Sequence, residues 1–298
     1  MQHVIVQTKL QSIIIKRLLD DGVIKRPFHL IHFAHSDEPS TAQYVSELMA
    51  VADQVTEKTR PKHGFFSFFG YFMWLIARCR LFNESIFLAN VNWYHFGLAL
   101  KLLRGFQLIT FDDGTANIQK NSVYFTNRTL DFDSFSGKLA QKIFPDGVAY
   151  FIRSRIDTHY TIYPGMENIV DSSKIVVLRI NWSDLIESAD RIRLPAHVGK
   201  ILVGTVYAEA SKFCEVELSE QRIQEAIAWS DLYLPHPRQN HGIPMDRVVA
   251  KYSAESLISH YSANNEIVVA HFNSSAVVPF ASNPRIKLID LSKNEDLP

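Results

Sequence analysis

The sequence has little cysteine, no net charge and no long hydrophobic run, and each absence excludes a class of protein. Cys79 and Cys214 are the two cysteines among 298 residues, too few for a disulfide framework or a four-cysteine zinc site. The 31 Lys and Arg residues balance 31 Asp and Glu residues. No global field therefore attracts the protein to nucleic acid, and no nucleic-acid partner is expected.

The N-terminal segment lacks the features of a secretion signal. Residues 1–10 contain no basic region, no long apolar stretch and no small-residue cleavage site. Scarce cysteine also fits a reducing compartment. Both observations favour a cytoplasmic protein.

The most apolar segment is the aromatic stretch at residues 64–77. It is shorter than the about 20 residues that cross a bilayer. A buried core helix is the main interpretation. The alternative is a helix at a membrane surface or subunit interface, because Lys62, Arg78 and Arg80 flank the stretch.

Short apolar segments typical of buried strands alternate with segments of helical periodicity. Strands are predicted at 4–6, 28–33, 85–91, 106–111, 175–180, 201–206, 232–234, 267–271 and 286–289. Such alternation indicates an α/β fold with parallel sheets. A less regular middle, residues 115–165, separates two regular halves. We therefore predict two Rossmann-like domains, 1–160 and 161–298, facing a cleft.

An acidic turn follows the strand at 106–111. Open parallel sheets bind ligands at the carboxyl ends of their strands, and Asp112-Asp113-Gly114 lies at such an end. Adjacent carboxylates tend to raise one pKa, which suits a general base. An ordinary Asp-Asp-Gly turn and a Mg²⁺ or Mn²⁺ site are the alternatives. No further acidic cluster supports the metal, so no metal site is predicted.

Two more polar turns follow predicted strands. Pro235 and Pro237 enclose His236, with Arg238 next in the chain, so a rigidly held imidazole can donate to a phosphate. The second turn contains Asn273, Ser274 and Ser275. Hydroxyls and backbone amides at a strand-to-helix turn suit a phosphate, and a serine helix cap is the alternative.

These motifs together resemble bacterial sialyltransferases, most closely the lipooligosaccharide sialyltransferases of glycosyltransferase family 52. An acid-acid-Gly motif, a His-Pro motif and a Ser-Ser pair occur here as 112–114, 236–237 and 274–275, in the family's order. The longer forms at 111–118 and 234–238 are more specific. The turn at 8–11 also resembles the family's opening Thr-Pro-Leu-Gln, although Lys9 replaces the proline. The resemblance covers essentially the whole chain.

The resemblance implies a glycosyltransferase-B fold with an acceptor-side N-terminal domain and a CMP-sugar-binding C-terminal domain. It implies inverting transfer of sialic acid from CMP-sialic acid to a galactose-terminated glycan of a lipooligosaccharide, commonly at O3, without metal or cofactor. One carboxylate of the acidic turn would deprotonate the acceptor, and Asp112 is favoured. His236, Pro237 and Arg238 would bind the donor, and His236 would also assist the departure of CMP.

The same resemblance assigns Ser274, Ser275 and Asn273 to the donor phosphate and Glu255 to the ribose hydroxyls. A solvated acid in a first helical turn is the alternative for Glu255. Thr205 lies near the end of the predicted strand at 201–206, and Glu209 follows that strand. Thr205 is assigned to the donor site, and Glu209 is the alternative base.

Two other functions remain open at the level of sequence. One is a hexosyltransferase of the same fold that uses a nucleotide-diphosphate sugar, although residues 270–282 contain no Lys or Arg for a second phosphate. The other is a non-catalytic nucleotide-binding protein. A homodimer and a peripheral contact with the inner membrane are further expectations, both assigned to the aromatic stretch.

Overall fold

The protein divides into two compact units, 1–180 and 181–298. The computed structural model describes residues 1–34, 39–59, 65–103, 105–126, 138, 141–207, 218–236, 249, 251–293 and 297. Both units contain a parallel sheet with helical connections, which confirms the predicted α/β class and the two Rossmann-like units. The cleft between them stays a prediction.

The first unit contains a seven-stranded parallel sheet in the order β3-β2-β1-β4-β5-β6-β7. Its strands are β1 (Gln2–Val6), β2 (Phe28–Ala34), β3 (Gln54–Thr59), β4 (Ser85–Leu88), β5 (Gln107–Phe111), β6 (Thr158–Thr161) and β7 (Ile175–Val177). Its helices are α1 (Lys9–Asp20), α2 (Pro39–Val51), α3 (Phe65–Phe82), α4 (Tyr94–Leu102), α5 (Val123–Thr126) and α6 (Val148–Arg153).

The second unit contains a four-stranded parallel sheet in the order β11-β10-β8-β9. Its strands are β8 (Lys200–Val203), β9 (Leu232–Leu234), β10 (Ile267–His271) and β11 (Ile286–Asp290). Its helices are α7 (Ser188–Arg191), α8 (Glu220–Trp229) and α9 (Ala254–Ser262), and a 3₁₀ helix spans Ser275–Phe280. Ser219 and Ser253 cap α8 and α9 by accepting from backbone amides in their first turns.

The two sheets differ from the sequence prediction mainly at polar strands. β3 is a polar edge strand, with Val55 43% exposed, and it has no apolar pattern to reveal it. β6 carries the buried polar residues His159 and Thr161. Because β6 and β7 extend the first sheet, the first unit runs to residue 180, and the expected division at 160 falls inside a strand.

The predicted strand at 175–180 is confirmed in part, but its predicted burial is wrong. β7 covers Ile175–Val177 and lies at the edge of the sheet. Val176 and Val177 are 43% and 45% exposed. An edge strand has a neighbour on one side only, so apolar composition alone does not bury it.

The aromatic stretch forms most of α3, as predicted. Phe72, Leu75, Ile76 and Cys79 are buried in the core of the first unit. Trp74, Leu81 and Phe82 lie in the same helix and are 51%, 78% and 67% exposed. α3 is therefore a core helix that also presents an apolar outer face. None of the described helices has the length and apolarity needed to cross a membrane.

Candidate active site

The acidic turn lies at the carboxyl edge of the first sheet, directly after β5. β4 and β6 pair with β5 on its two sides, so the loops that follow these strands share this edge. Gly114 has a φ of 68°, and a Cβ added at this position would meet nothing within 4 Å. That left-handed conformation favours glycine, and it lets the chain turn sharply behind the two carboxylates.

Asp112 is fully buried and saturated with hydrogen bonds. Its Oδ2 accepts from the Thr161 hydroxyl at 2.8 Å and from the Ile162 amide at 2.6 Å. Its Oδ1 lies 3.1 Å from His159 Nε2, and His159 Nδ1 lies 2.8 Å from the Thr110 hydroxyl. With no exposed surface, Asp112 joins the ends of β5 and β6, and its geometry is that of a structural carboxylate.

Asp113 is the partly exposed member of the pair. Its Oδ1 accepts from Gln11 Nε2 at 2.6 Å, and its Oδ2 accepts from the Tyr124 hydroxyl at 2.5 Å. Its backbone amide donates to Asn117 Oδ1 at 2.7 Å. A solute that approaches this edge can therefore reach Asp113, whereas Asp112 is inaccessible. This accessibility argues against the sequence-based preference for Asp112 as the base.

Burial and the adjacent Asp113 carboxylate raise the pKa of Tyr124 well above its usual range. The Tyr124 hydroxyl therefore stays protonated and acts as a donor to Asp113. Tyr124 is 3% exposed. Neither Tyr124 nor His159, the partner of Asp112, was predicted as a site residue. Neither of them lies in a polar turn that directly follows an apolar strand segment.

The second unit places the predicted donor residues along the carboxyl edge of its sheet. Thr205 follows β8, His236 follows β9, and Ser274 follows β10. β9 and β10 flank β8, so these turns are neighbours. Gly204 brings two of them together, because its amide donates to the Leu234 carbonyl at 2.8 Å.

The close approach at Gly204 leaves no room for a side chain. A Cβ at this position would lie 3.0 Å from the Tyr233 hydroxyl and 3.2 Å from the His236 amide nitrogen. Glycine thus allows the His236 turn to pack against the end of β8. The sequence prediction did not identify this glycine, because it placed Gly204 inside the predicted strand at 201–206, whereas β8 ends at Val203.

The serine turn is held from behind by buried polar groups. Asn273 has a φ of 52°, a left-handed conformation that asparagine tolerates. Ser274 caps the 3₁₀ helix by accepting from the Ala276 amide at 3.4 Å, and its own amide donates to His271 Nδ1 at 3.3 Å. The Ser274 side chain therefore acts as a helix cap, which is the alternative given for this turn, and Ser275 is exposed.

Asp290 supports this turn from β11. Its Oδ1 lies 3.4 Å from the Asn273 amide and 3.8 Å from His271 Nδ1. Burial alone would raise the pKa of Asp290, but hydrogen bonds from Ser292 and the adjacent His271 hold it below its usual value. A charged Asp290 can then fix the serine turn.

The remaining predicted residues divide into two groups. Glu255 lies in the first turn of α9 and is partly exposed, as expected for either of its two interpretations. Glu209, Pro237 and Arg238 lie outside the described residues, so their assigned roles stay predictions, as do those of Thr205 and His236.

One group of described side chains has the composition of a metal site. The ligand atoms of His3, Cys79 and Glu84 lie within 4.8 Å of one another and are buried. However, His3 Nε2 is 2.8 Å from Glu84 Oε2, and Arg78 Nε lies 3.1 Å from the same oxygen. A charge-satisfied network with a neighbouring guanidinium opposes a further cation, so we interpret this group as structural.

Polar turns at the carboxyl edges of parallel sheets define the class of Rossmann-like α/β proteins that bind ligands at those edges. The chain belongs to glycosyltransferase family 52, whose family model matches residues 25–294. The family resemblance inferred from the three motifs is thereby confirmed.

Curated relatives are similar over part of the chain. A CMP-N-acetylneuraminate:beta-galactoside alpha-2,3-sialyltransferase of Pasteurella multocida is 28% identical over 65% of this chain and 60% of its own length. An N-acetyllactosaminide alpha-2,3-sialyltransferase of Haemophilus influenzae is 24% identical over 69% of this chain and 63% of its own. The chain thus matches about three fifths of the length of these relatives. A solved glycosyltransferase of Rickettsia africae has a TM-score of 0.48 and 13% identity, covering 97% of this chain and 83% of its own.

Proposed function

We propose that this protein is an inverting sialyltransferase that needs no metal. It transfers sialic acid from CMP-sialic acid to O3 of a terminal galactose, and the natural acceptor is a lipooligosaccharide. The observation that carries the proposal is the accessible Asp113 carboxylate at the carboxyl edge of the first sheet. Family membership and the activities in the relatives' names support the choice of sugar.

Asp113 is the proposed base. Its carboxylate accepts the proton of the acceptor hydroxyl while that oxygen attacks the anomeric carbon of sialic acid. The bond between this carbon and CMP breaks on the opposite face, which inverts the configuration. The electron pair of the broken bond remains on the CMP phosphate.

His236 and the serine turn are the proposed phosphate partners. Hydrogen-bond donors aimed at a departing phosphate stabilise the charge that develops on it, so the step does not require a metal ion. Ser274 and Ser275 offer hydroxyl protons, and His236 offers an imidazole N–H. Thr205, Asn273 and Glu255 complete the proposed donor site, with Glu255 on the ribose.

The direct test combines the protein with CMP-sialic acid and lactose in the presence of EDTA. We expect CMP release, a sialylated product linked to galactose O3, and an anomeric configuration opposite to that of the donor. Absence of CMP release above background with several galactosides would refute the proposal. Transfer from a UDP-sugar instead would replace it with the hexosyltransferase alternative.

A binding experiment tests the assigned phosphate partner separately. His236→Ala should weaken CMP binding by roughly 10- to 100-fold, because a hydrogen bond to a charged group is lost. His197→Ala is the matched control, since His197 is an exposed histidine of the same unit. Equal CMP affinity of both variants in calorimetry would remove His236 from the donor site.

The outer face of α3 is the proposed surface for the remaining partners. Trp74, Leu81 and Phe82 are exposed there, with Arg78 and Arg80 in the same helix. Apolar side chains beside cations suit the surface of the inner membrane or a second copy of the chain. Cosedimentation with anionic vesicles tests the first, and light scattering tests the second.

A further inference from the structure

Side chains from the segments that follow β1 and β5 meet at the Asp113 carboxylate. Gln11, in the first turn of α1 after β1, donates to Oδ1 at 2.6 Å. Tyr124, in α5, donates to Oδ2 at 2.5 Å. Among the described residues, each carboxylate oxygen accepts from one donor, and the two donors come from different segments.

Both donors are themselves held in place. Gln11 is 1% exposed, and its Oε1 accepts from the Gln7 amide at 2.7 Å, which fixes the amide group with Nε2 towards Asp113. Tyr124 is 3% exposed, and its backbone carbonyl accepts from Arg153 Nη1 at 2.8 Å. The Gln11 side chain cannot turn away without losing a second hydrogen bond, and the Tyr124 ring is packed in the hydrophobic core of the first unit.

An ionised carboxylate offers about four lone-pair positions, and two directed donors occupy one on each oxygen. Two donors, one on each oxygen, restrict rotation of the Asp113 carboxylate, and the residue is partly exposed. A base that is held in one orientation meets the acceptor hydroxyl without first losing rotational freedom. Since the donors are neutral, they fix the carboxylate without the competing charge of an Arg or Lys.

We propose that Tyr124, together with Gln11, is a positioning residue that holds Asp113 in the orientation needed to accept the acceptor proton. This inference rests on the proposed function. Tyr124 does not touch substrate; it acts through Asp113. Its removal therefore changes the rate of transfer rather than the binding of the donor.

The test is Tyr124→Phe, which removes one oxygen atom and keeps the buried ring. We expect kcat to fall roughly 10- to 100-fold, the range for losing a hydrogen bond to a charged group, with KM for CMP-sialic acid and CMP affinity unchanged. Tyr252→Phe is the matched control, since Tyr252 donates to Asp190 at 2.7 Å in the second unit. It should lose similar stability and keep its kcat.

A double-mutant cycle with Asp113→Asn separates positioning from a general structural effect. In the Asp113→Asn background, adding Tyr124→Phe should leave the residual rate unchanged, because there is no base left to orient. Gln11→Leu should behave in the same way as Tyr124→Phe, and it provides a second, independent variant.

The outcomes separate this inference from the proposed function. If the wild type transfers sialic acid and Asp113→Asn does not, full kcat in Tyr124→Phe overturns the positioning role and leaves the function standing. The positioning role is also overturned if kcat falls by the same factor in Tyr124→Phe and Tyr252→Phe. It is likewise overturned if Tyr124→Phe lowers the rate by the same factor in the wild-type and the Asp113→Asn backgrounds. Absence of transfer by the wild type overturns both.

Discussion

Replacing Asp112 with alanine removes the acceptor of three hydrogen bonds in a fully buried position. The Thr161 hydroxyl and the Ile162 amide lose their partner at 2.8 and 2.6 Å, and His159 loses the partner of its Nε2 at 3.1 Å. Each buried donor left unsatisfied costs about 1–3 kcal/mol. We therefore expect Asp112→Ala to lower the free energy of unfolding by about 3–5 kcal/mol.

Asp112→Asn should cost less, about 1–2 kcal/mol. The asparagine oxygen can still accept from Thr161 and Ile162, and its NH₂ can donate to His159 if the imidazole changes tautomer and donates from Nδ1 to Thr110. Asp113→Asn should lower stability by only about 1 kcal/mol, because Asp113 is partly exposed. That variant should nevertheless lose transfer, since an amide cannot accept the acceptor proton.

Urea denaturation followed by tryptophan fluorescence measures these differences, since Trp74 and Trp93 lie in the first unit. The transfer rate is measured at a temperature at which each variant is folded. If Asp112→Ala unfolds at the wild-type urea concentration but has no activity, Asp112 is the reacting carboxylate and the reasoning from burial is wrong. A full rate in Asp113→Asn would make Glu209 the leading base.

Further predictions concern packing and pH. A Cβ on Gly97 would lie 2.4 Å from Val148 Cγ2, so Gly97→Ala should lower the unfolding free energy by about 1–3 kcal/mol. A Cβ on Gly70 in α3 would meet nothing within 4 Å, so Gly70→Ala should raise the unfolding free energy by roughly 0.5–1 kcal/mol. Equal thermal midpoints for the two variants would contradict the close packing of α4 on α6. Burial, then the neighbouring His3, lower the pKa of His29 to about 4. The unfolded chain binds this proton at a pH of about 6.5, so about 3 kcal/mol of stability is present above that pH and is lost as the pH falls to about 4. In His29→Gln, the urea midpoint should change less with pH across this window. An unchanged dependence of the midpoint on pH would show that His29 does not cause the effect.

Much of the fold can be predicted from the sequence because apolar strands carry their own signal. The predicted strands at 232–234 and 267–271 coincide with β9 and β10, since both are runs of largely apolar residues, ending in β10 with the polar His271. β6 has no such signal. It reads Thr-His-Tyr-Thr, and it forms a strand because His159 and Thr161 find partners in Asp112 and Thr110, residues about fifty positions earlier in the chain.

The sequence by itself determined the order of the three motifs, their position after strands, and through them the family. What it could not separate were Asp112 and Asp113, which are neighbours in the chain and chemically identical. Tertiary structure distinguishes them by burial, because successive residues at the end of a strand point in different directions. Asp112 points into the sheet edge, where β6 surrounds it with donors, and Asp113 points outward between Gln11 and Tyr124. Burial, which depends on distant segments, enclosed one carboxylate in a hydrogen-bond network and left the other partly exposed, which is why Asp113 is the proposed base.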